Sequence, residues 1–336
     1  MRLVLAFSLW VLTGLPAAAQ DAGTADRMIA AFEGWMVAKD APRGTLAIRY
    51  KGRPHSQTGV GLNPNTPMEM ASLSKAITGV CIAELVREGR LSYADRFADL
   101  VGRGPDISVA QLLSHTSGLK HDSTQSSMVG WLNQPMDRAN DVLDHVIERD
   151  GPRKKAGRYH YNNENYALLS LVIQAVSGAS YQVACTDRVL TPAGANAVRS
   201  PQAGAYLAWG GWQMPVDDYA AFLTHWFTPQ LDPFTRPNAK VGGGAHYGQG
   251  MLFRTFRGGH NYWHHGALCF ANGPNIGSFA VSWKGEWSAV AAYDICPTWD
   301  VMRDLDATLS GAVFNDFART HIGWWFDSGR WPVAIP

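Results

Sequence analysis

Apolar residues recur along the chain with two different periods, and the switch between them divides the sequence. Met28, Ile29, Phe32, Trp35 and Met36 return at helical spacing from Asp21 onward and predict a first helix. Two strand-like runs follow, Thr45–Tyr50 and His55–Val60, around a Lys51-Gly52-Arg53-Pro54 turn that reads as a hairpin. An amphipathic helix is then expected from Ala71 to about Arg87, with Ile77, Val80, Cys81 and Leu85 on its buried face. Helical spacing persists through Ile107–Ser114, Pro135–Glu148, Ala167–Val176 and Pro215 to about Trp226, with polar loops between. Near Gly242 the texture changes to glycine clusters and short alternating runs. Tyr262–Phe270, Ser278–Trp283 and Trp287–Ile295 are the predicted strands, the last two joined by a Lys284-Gly285-Glu286 turn. Leu305, Leu309, Val313 and Phe317, four apart, predict a last helix near Met302–Phe317.

This order implies an α/β (α+β) fold. An antiparallel sheet is built from both chain ends (residues 20–70 and 240–336) and flanked by N- and C-terminal helices. A mainly helical region, 71–239, is inserted between the two parts. Arg2, the apolar run Leu3–Leu15 and the small residues Ala17-Ala18-Ala19 read as a secretory signal peptide over 1–19, cleaved before Gln20. The apolar run falls short of the ~20 residues that span a bilayer. The expected location is therefore periplasmic or secreted, with no membrane attachment after cleavage.

Charge and cysteine narrow the function. A net charge of +1, with 17% charged residues, gives no electrostatic reason to expect nucleic acid as a partner. An oxidising compartment permits disulfides. Cys269 and Cys296 fall at the ends of predicted strands and are expected to pair, whereas Cys81, on the apolar face of its helix, is expected as a buried free thiol. The cysteine spacings do not form a zinc site.

Three places carry polar groups that a core does not need. Ser72 and Lys75, three apart on a helix, share a face. Tyr161-Asn162-Asn163 precedes a helix, and His264-His265-Gly266-Ala267 opens a strand. Adjacent strand residues point to opposite faces, so His264 and His265 do not share an ion, and no metal or cofactor is expected.

These motifs, in this order, resemble those of the serine β-lactamase and penicillin-binding protein superfamily, in its class C β-lactamase, DD-peptidase and esterase branch. The contexts extend the resemblance. Leu112-Leu113-Ser114-His115-Thr116-Ser117-Gly118-Leu119 is similar to the family's LLxHTSGL stretch, and residues 156–169 to its PGxxFxYSNxxYxLL stretch. Departures are Ala156 for the usual proline, Asn162 for the usual serine, and His-His-Gly for the Lys-Thr-Gly of true β-lactamases. The resemblance implies a β-lactamase/transpeptidase-like fold and Ser72 as nucleophile. Lys75 and Tyr161 would share the proton, and Asn163 would orient them. It places the backbone N–H groups of Ser72 and Ala267 in an oxyanion hole and His264 at the substrate. His265, Gly266, Trp209 and Trp212, with Trp263, are expected along the substrate cleft. The implied activity is acyl-enzyme hydrolysis of small esters, D-amino-acid peptides or amides, with β-lactams less favoured. The alternative from another class is a non-catalytic ligand- or peptidoglycan-binding protein on the same scaffold. Which of Lys75 and Tyr161 is the base stays open at this point.

Overall fold

The computed structural model describes residues 17–314 apart from 120, 150–155, 257–258 and 272. Residues 1–16 of the expected leader and the end of the expected last helix lie outside the described residues. The first helix, α1 (Ala17–Ala38), runs through the expected cleavage point.

Eleven strands follow among the described residues. The N-terminal hairpin is β1 (Gly44–Tyr50) and β2 (Arg53–Val60). A small three-stranded sheet joins β3 (Met68–Glu69), β4 (Val198–Arg199) and β5 (Trp212–Met214) in the order β3-β5-β4. The C-terminal strands are β6 (Ala239–Gly242), β7 (Ala245–Gly248), β8 (Met251–Phe256), β9 (Gly259–Cys269), β10 (Asn275–Trp283) and β11 (Trp287–Tyr293). The main sheet has eight strands in the order β2-β1-β11-β10-β9-β8-β7-β6, paired antiparallel throughout. β1 pairs with β11 from Gly44 opposite Tyr293 to Tyr50 opposite Trp287, which closes the sheet from the two chain ends. Both tight hairpins turn on positive φ, at Lys51 and Gly52 and again at Lys284 and Gly285.

Strand alternation sends side chains into two cores. Leu46, Ile48, Phe279, Val281, Ala289 and Ala291 pack under α1 and the C-terminal helix Trp299–Phe314, against Phe32, Met36, Leu305 and Leu309. Ala47, Ala280 and Val290 face the opposite way, into the larger core shared with the helical region. The helix α2 (Ser74–Arg87) lies at the centre of that core, and every residue from Ser74 to Leu85 is buried. It is therefore not the amphipathic surface helix its apolar spacing predicts. A helix sequestered on all sides contributes both faces to packing.

Two glycines allow that burial. At Gly79 a Cβ would overlap the Gln249 backbone, and at Gly250, with φ +80°, it would overlap the Lys75 carbonyl. The β7–β8 turn thus lies directly on the α2 backbone beside Lys75. Cys81 corrects a second expectation. It is disulfide-bonded to Cys185, whose helix Tyr181–Cys185 packs on α2, and Cys269 pairs with Cys296. The Cys81 partner is 104 residues away in sequence, a separation at which no local pattern signals contact.

Candidate active site

β3 leads through Met70 into a 3₁₀ turn, Ala71–Leu73, and α2 begins only at Ser74. Ser72 therefore sits in the tight turn before the helix, not in its first α-helical turn as expected. Ala71 holds φ +45°, a conformation that costs a non-glycine residue of order 1–3 kcal/mol and persists only when its surroundings impose it. Those surroundings are close. A Cβ on Gly266 of β9 would overlap Ser278 Oγ and come 2.9 Å from Ala71 Cβ, and Ser278 Oγ donates to the Met70 carbonyl at 2.8 Å. The result is a partly exposed serine between two buried neighbours, Ala71 and Leu73.

Lys75 has no solvent exposure. Its Nζ donates to Ser72 Oγ at 2.9 Å and to the Trp209 carbonyl at 2.7 Å. Burial lowers its pKa to about 7, and the negative charge of Asp122 opposes that fall. At neutral pH a substantial share of the amine is thus unprotonated.

Tyr161 approaches from the helical region, and its hydroxyl donates to Ser72 Oγ at 3.1 Å. Lys75 Nζ lies 5.0 Å from the centre of the same ring. Burial pushes the phenol above its ordinary range, the Ser72 hydrogen bond works the other way, and Asp122 adds to the rise. The proton at rest therefore sits on Tyr161, and Lys75 is the group that titrates near neutrality. His115 lies under Tyr161, with ring centroids 4.5 Å apart. Its Nδ1 accepts from the Asn162 N–H at 3.3 Å and the Asn165 amide at 3.0 Å. Burial, then the Lys75 charge, hold its pKa well below the usual histidine value, so it supports the tyrosine turn as a neutral ring.

Asn163 departs from its expected role. Its amide donates to Thr124 Oγ1 at 3.0 Å, and its backbone N–H donates to Asp122 Oδ2 at 2.9 Å. No hydrogen bond among the described residues joins it to Lys75 or Tyr161. The loop at 121–124 covers the Tyr-Asn turn and captures the asparagine; that packing joins segments some forty residues apart, and the motif alone does not reveal it. The turn's own neighbour Glu164 is fully buried. It accepts the Ser123 N–H at 2.9 Å and the Ser123 hydroxyl at 2.6 Å, and pairs with Arg149.

On β9 the alternation separates the two histidines. His264 faces the site, its ring 6.2 Å from that of Tyr161, and its Nδ1 donates to the His265 carbonyl at 2.6 Å. That bond leaves Nε2 as an acceptor. Burial and the Lys75 charge lower the His264 pKa to about 3, so the ring is neutral. His265 points the other way and stacks on Phe279 at 4.5 Å, near Trp299. It belongs to the terminal-helix core, which corrects its assignment to the substrate cleft. Trp209 and Trp212 are corrected likewise. Both are buried, and Trp212 Nε1 donates to the Tyr181 hydroxyl at 3.1 Å. Trp209 serves the site through its carbonyl rather than its ring. Trp263 lies against Arg254, 5.4 Å from its guanidinium. The pairing of β9 with β8 ends at Trp263, so the stretch with Gly266 and Ala267 runs beside the Ser72 turn with one backbone edge unpaired by β8.

Asp122, the Trp209 carbonyl and the supporting role of His115 are the parts of the site that the motifs did not identify. Of these, only His115 lies in a segment that the resemblance marks, the LLSHTSGL stretch.

An antiparallel sheet with flanking terminal helices, and a serine turn at its junction with a helical region, defines a fold of the β-lactamase/transpeptidase kind. The chain belongs to the beta-lactamase family, whose profile matches residues 25–293. "Protein flp" of Staphylococcus aureus (strain MW2) is 36% identical over 168 residues, covering 45% of this chain and 33% of that protein. The chain thus matches about a third of the length of such curated relatives. The D-stereospecific amidohydrolase from Streptomyces sp. has a TM-score of 0.66 at 19% identity, covering 88% of this chain and 98% of that one. D-amino acid amidase from Ochrobactrum anthropi SV3 gives 0.68 at 17% identity, covering 86% and 99%. At these identities the likeness is one of fold.

Proposed function

We propose that the protein is a serine hydrolase that works through an acyl-enzyme on D-amino-acid amides or peptides and small esters. The observation that carries this reading is the convergence of Lys75 Nζ and Tyr161 OH on Ser72 Oγ, at 2.9 and 3.1 Å. A serine hydroxyl becomes nucleophilic when a positioned base takes its proton. Unprotonated Lys75 is that base, because its buried amine titrates near pH 7 whereas Tyr161 keeps its proton.

In the first step Ser72 Oγ bonds to the substrate carbonyl carbon, and its proton passes to Lys75. The carbonyl oxygen becomes an oxyanion, held by the backbone N–H groups of Ser72 and Ala267; one such donor is worth ~3 kcal/mol. The carbonyl re-forms as the bond to the leaving nitrogen or oxygen breaks. Tyr161 gives that atom its proton and is reprotonated from Lys75. Water then attacks the ester, with Lys75 taking its proton, and Ser72 leaves protonated.

His264 bears on the substrate. A neutral ring that presents Nε2 as acceptor offers a carboxylate no cation, so it disfavours the acid of a β-lactam. It suits a ligand with an N–H or ammonium donor. The names of two solved neighbours, a D-stereospecific amidohydrolase and a D-amino acid amidase, support the same class. The leader-like sequence pattern of residues 1–19 and two disulfides support a periplasmic or secreted location.

The test is a burst assay with p-nitrophenyl acetate, followed by turnover of D- and L-alaninamide and a chromogenic cephalosporin. A stoichiometric burst and preference for the D-amide are expected. No burst, together with tight binding of a peptidoglycan fragment, would replace this reading with the non-catalytic one.

A further inference from the structure

The segment at 121–124 lies outside all three motifs, yet it is tied to the site more tightly than any surface loop requires. Asp122 Oδ1 accepts the Thr124 N–H at 3.1 Å and the Thr124 hydroxyl at 2.6 Å. Asp122 Oδ2 accepts the Asn163 N–H at 2.9 Å, and the Asn163 amide returns to Thr124 Oγ1 at 3.0 Å. Asp122, Thr124 and Asn163 therefore form a closed ring of hydrogen bonds, anchored two residues from Tyr161. The further donor to Asp122, the Gln125 amide at 3.3 Å, is neutral too, and no ion pair with Asp122 occurs among the described residues. Among the described residues the hydrogen-bond donors to its carboxylate are thus all neutral. Glu164 holds the adjacent Ser123 from the other side, so the loop cannot swing away without exposing a buried carboxylate.

We propose that Asp122 is a positioning residue for the Lys75–Tyr161 proton-transfer pair, fixing the Tyr161-Asn162-Asn163 turn through Asn163 and supplying the negative charge that the pair feels.

This rests on the hydrolase reading above. The groups facing Lys75 are the Ser72 hydroxyl, the Trp209 carbonyl, the Tyr161 and Tyr166 rings, the imidazoles of His115 and His264, and Asp122. Both imidazoles are held neutral by burial, and both phenols stay protonated. Asp122 is the formal anion of the set. It counters the desolvation of Lys75, which otherwise drives the amine toward a neutral but weakly basic form. It also disfavours the phenolate of Tyr161, keeping that proton ready for the leaving group.

The experiment is the pH dependence of kcat/KM for an activated ester, measured on the wild type and on Asp122→Asn, Asp122→Glu and Thr124→Val. The activity of the wild type rises through an acid limb near pH 7 as Lys75 deprotonates. Asp122→Asn removes the charge, so the limb moves to lower pH by about half a unit or more, with a roughly tenfold or greater loss at the plateau. Asp122→Glu restores the limb toward the wild-type position. Thr124→Val opens the ring but keeps the charge, so its plateau falls while its limb stays. A limb that stays put in Asp122→Asn, with activity lowered equally at every pH, overturns the inference and leaves the hydrolase reading standing. If Asp122→Asn does not fold, a limb shifted in Thr124→Val or lost in Asp122→Glu overturns it instead. A wild type that forms no acyl-enzyme at Ser72 overturns both.

Discussion

The Lys75 amine lies 2.9 Å from the Ser72 hydroxyl while being wholly withdrawn from water. Burying an amine costs stability because its charged form loses hydration. In the unfolded chain Lys75 titrates near 10.4, and in the fold at about 7. The unfolded state thus binds more protons between those values, and the Lys75 contribution to stability falls as pH drops from about 10.4 to 7. Lys75→Met removes this cost. It should raise the thermal midpoint at pH 7, by about 1 kcal/mol of stability, while lowering kcat/KM by roughly a thousandfold or more. Calorimetry and ester hydrolysis on the same preparation check both signs.

Tyr161 holds its proton throughout the neutral range, so it should add no second limb to the pH–rate profile below about pH 10. Tyr161→Phe keeps the ring over His115 and removes only the hydroxyl that reaches Ser72. A loss of about 10²- to 10⁴-fold in kcat/KM is expected. It should be larger for amides than for activated esters, whose leaving groups need no proton. Steady-state kinetics on a matched amide and ester pair measure the difference.

Gly250 is placed where a side chain cannot go, at φ +80° and against the Lys75 carbonyl. Gly250→Ala must either displace the β7–β8 turn or push the α2 backbone. The expected cost is about 2 kcal/mol or more in denaturant unfolding. Where the protein still folds, kcat should fall about a hundredfold, because a shift of the order of 1 Å in the base spoils its geometry.

The Cys81–Cys185 bridge closes a loop of 104 residues and fastens α2 to the helix Tyr181–Cys185. Replacing both cysteines by serine should cost about 2–5 kcal/mol, read from the unfolding midpoint under non-reducing conditions. Reductant should destabilise the wild type and leave that contribution absent in the double variant.

The sequence pattern carried the sheet's framework well where alternation and turn chemistry agree. Lys51-Gly52 and Lys284-Gly285 announce their hairpins, and strands β10 and β11 fall close to their expected bounds. β6 and β7 are four residues each and end in glycine, too short to show a period. The motifs located Ser72, Lys75 and Tyr161, which the fold brings together. What they missed depends on contacts between distant segments. Asn163 turns to a loop forty residues earlier, Cys81 to a partner beyond a hundred, and Trp209 to the core, where its carbonyl meets Lys75. His265 is different: strand alternation alone separates it from His264, and the structure follows that rule.

The most direct measurement is intact mass followed by peptide mapping after incubation with a penicillin, a D-alanyl peptide and a short-chain ester. A single acyl adduct on the peptide carrying Ser72, absent in Ser72→Ala and slow to form below pH 7, is the predicted result. An adduct on any other residue, or one that forms at the same rate in Ser72→Ala, contradicts the account.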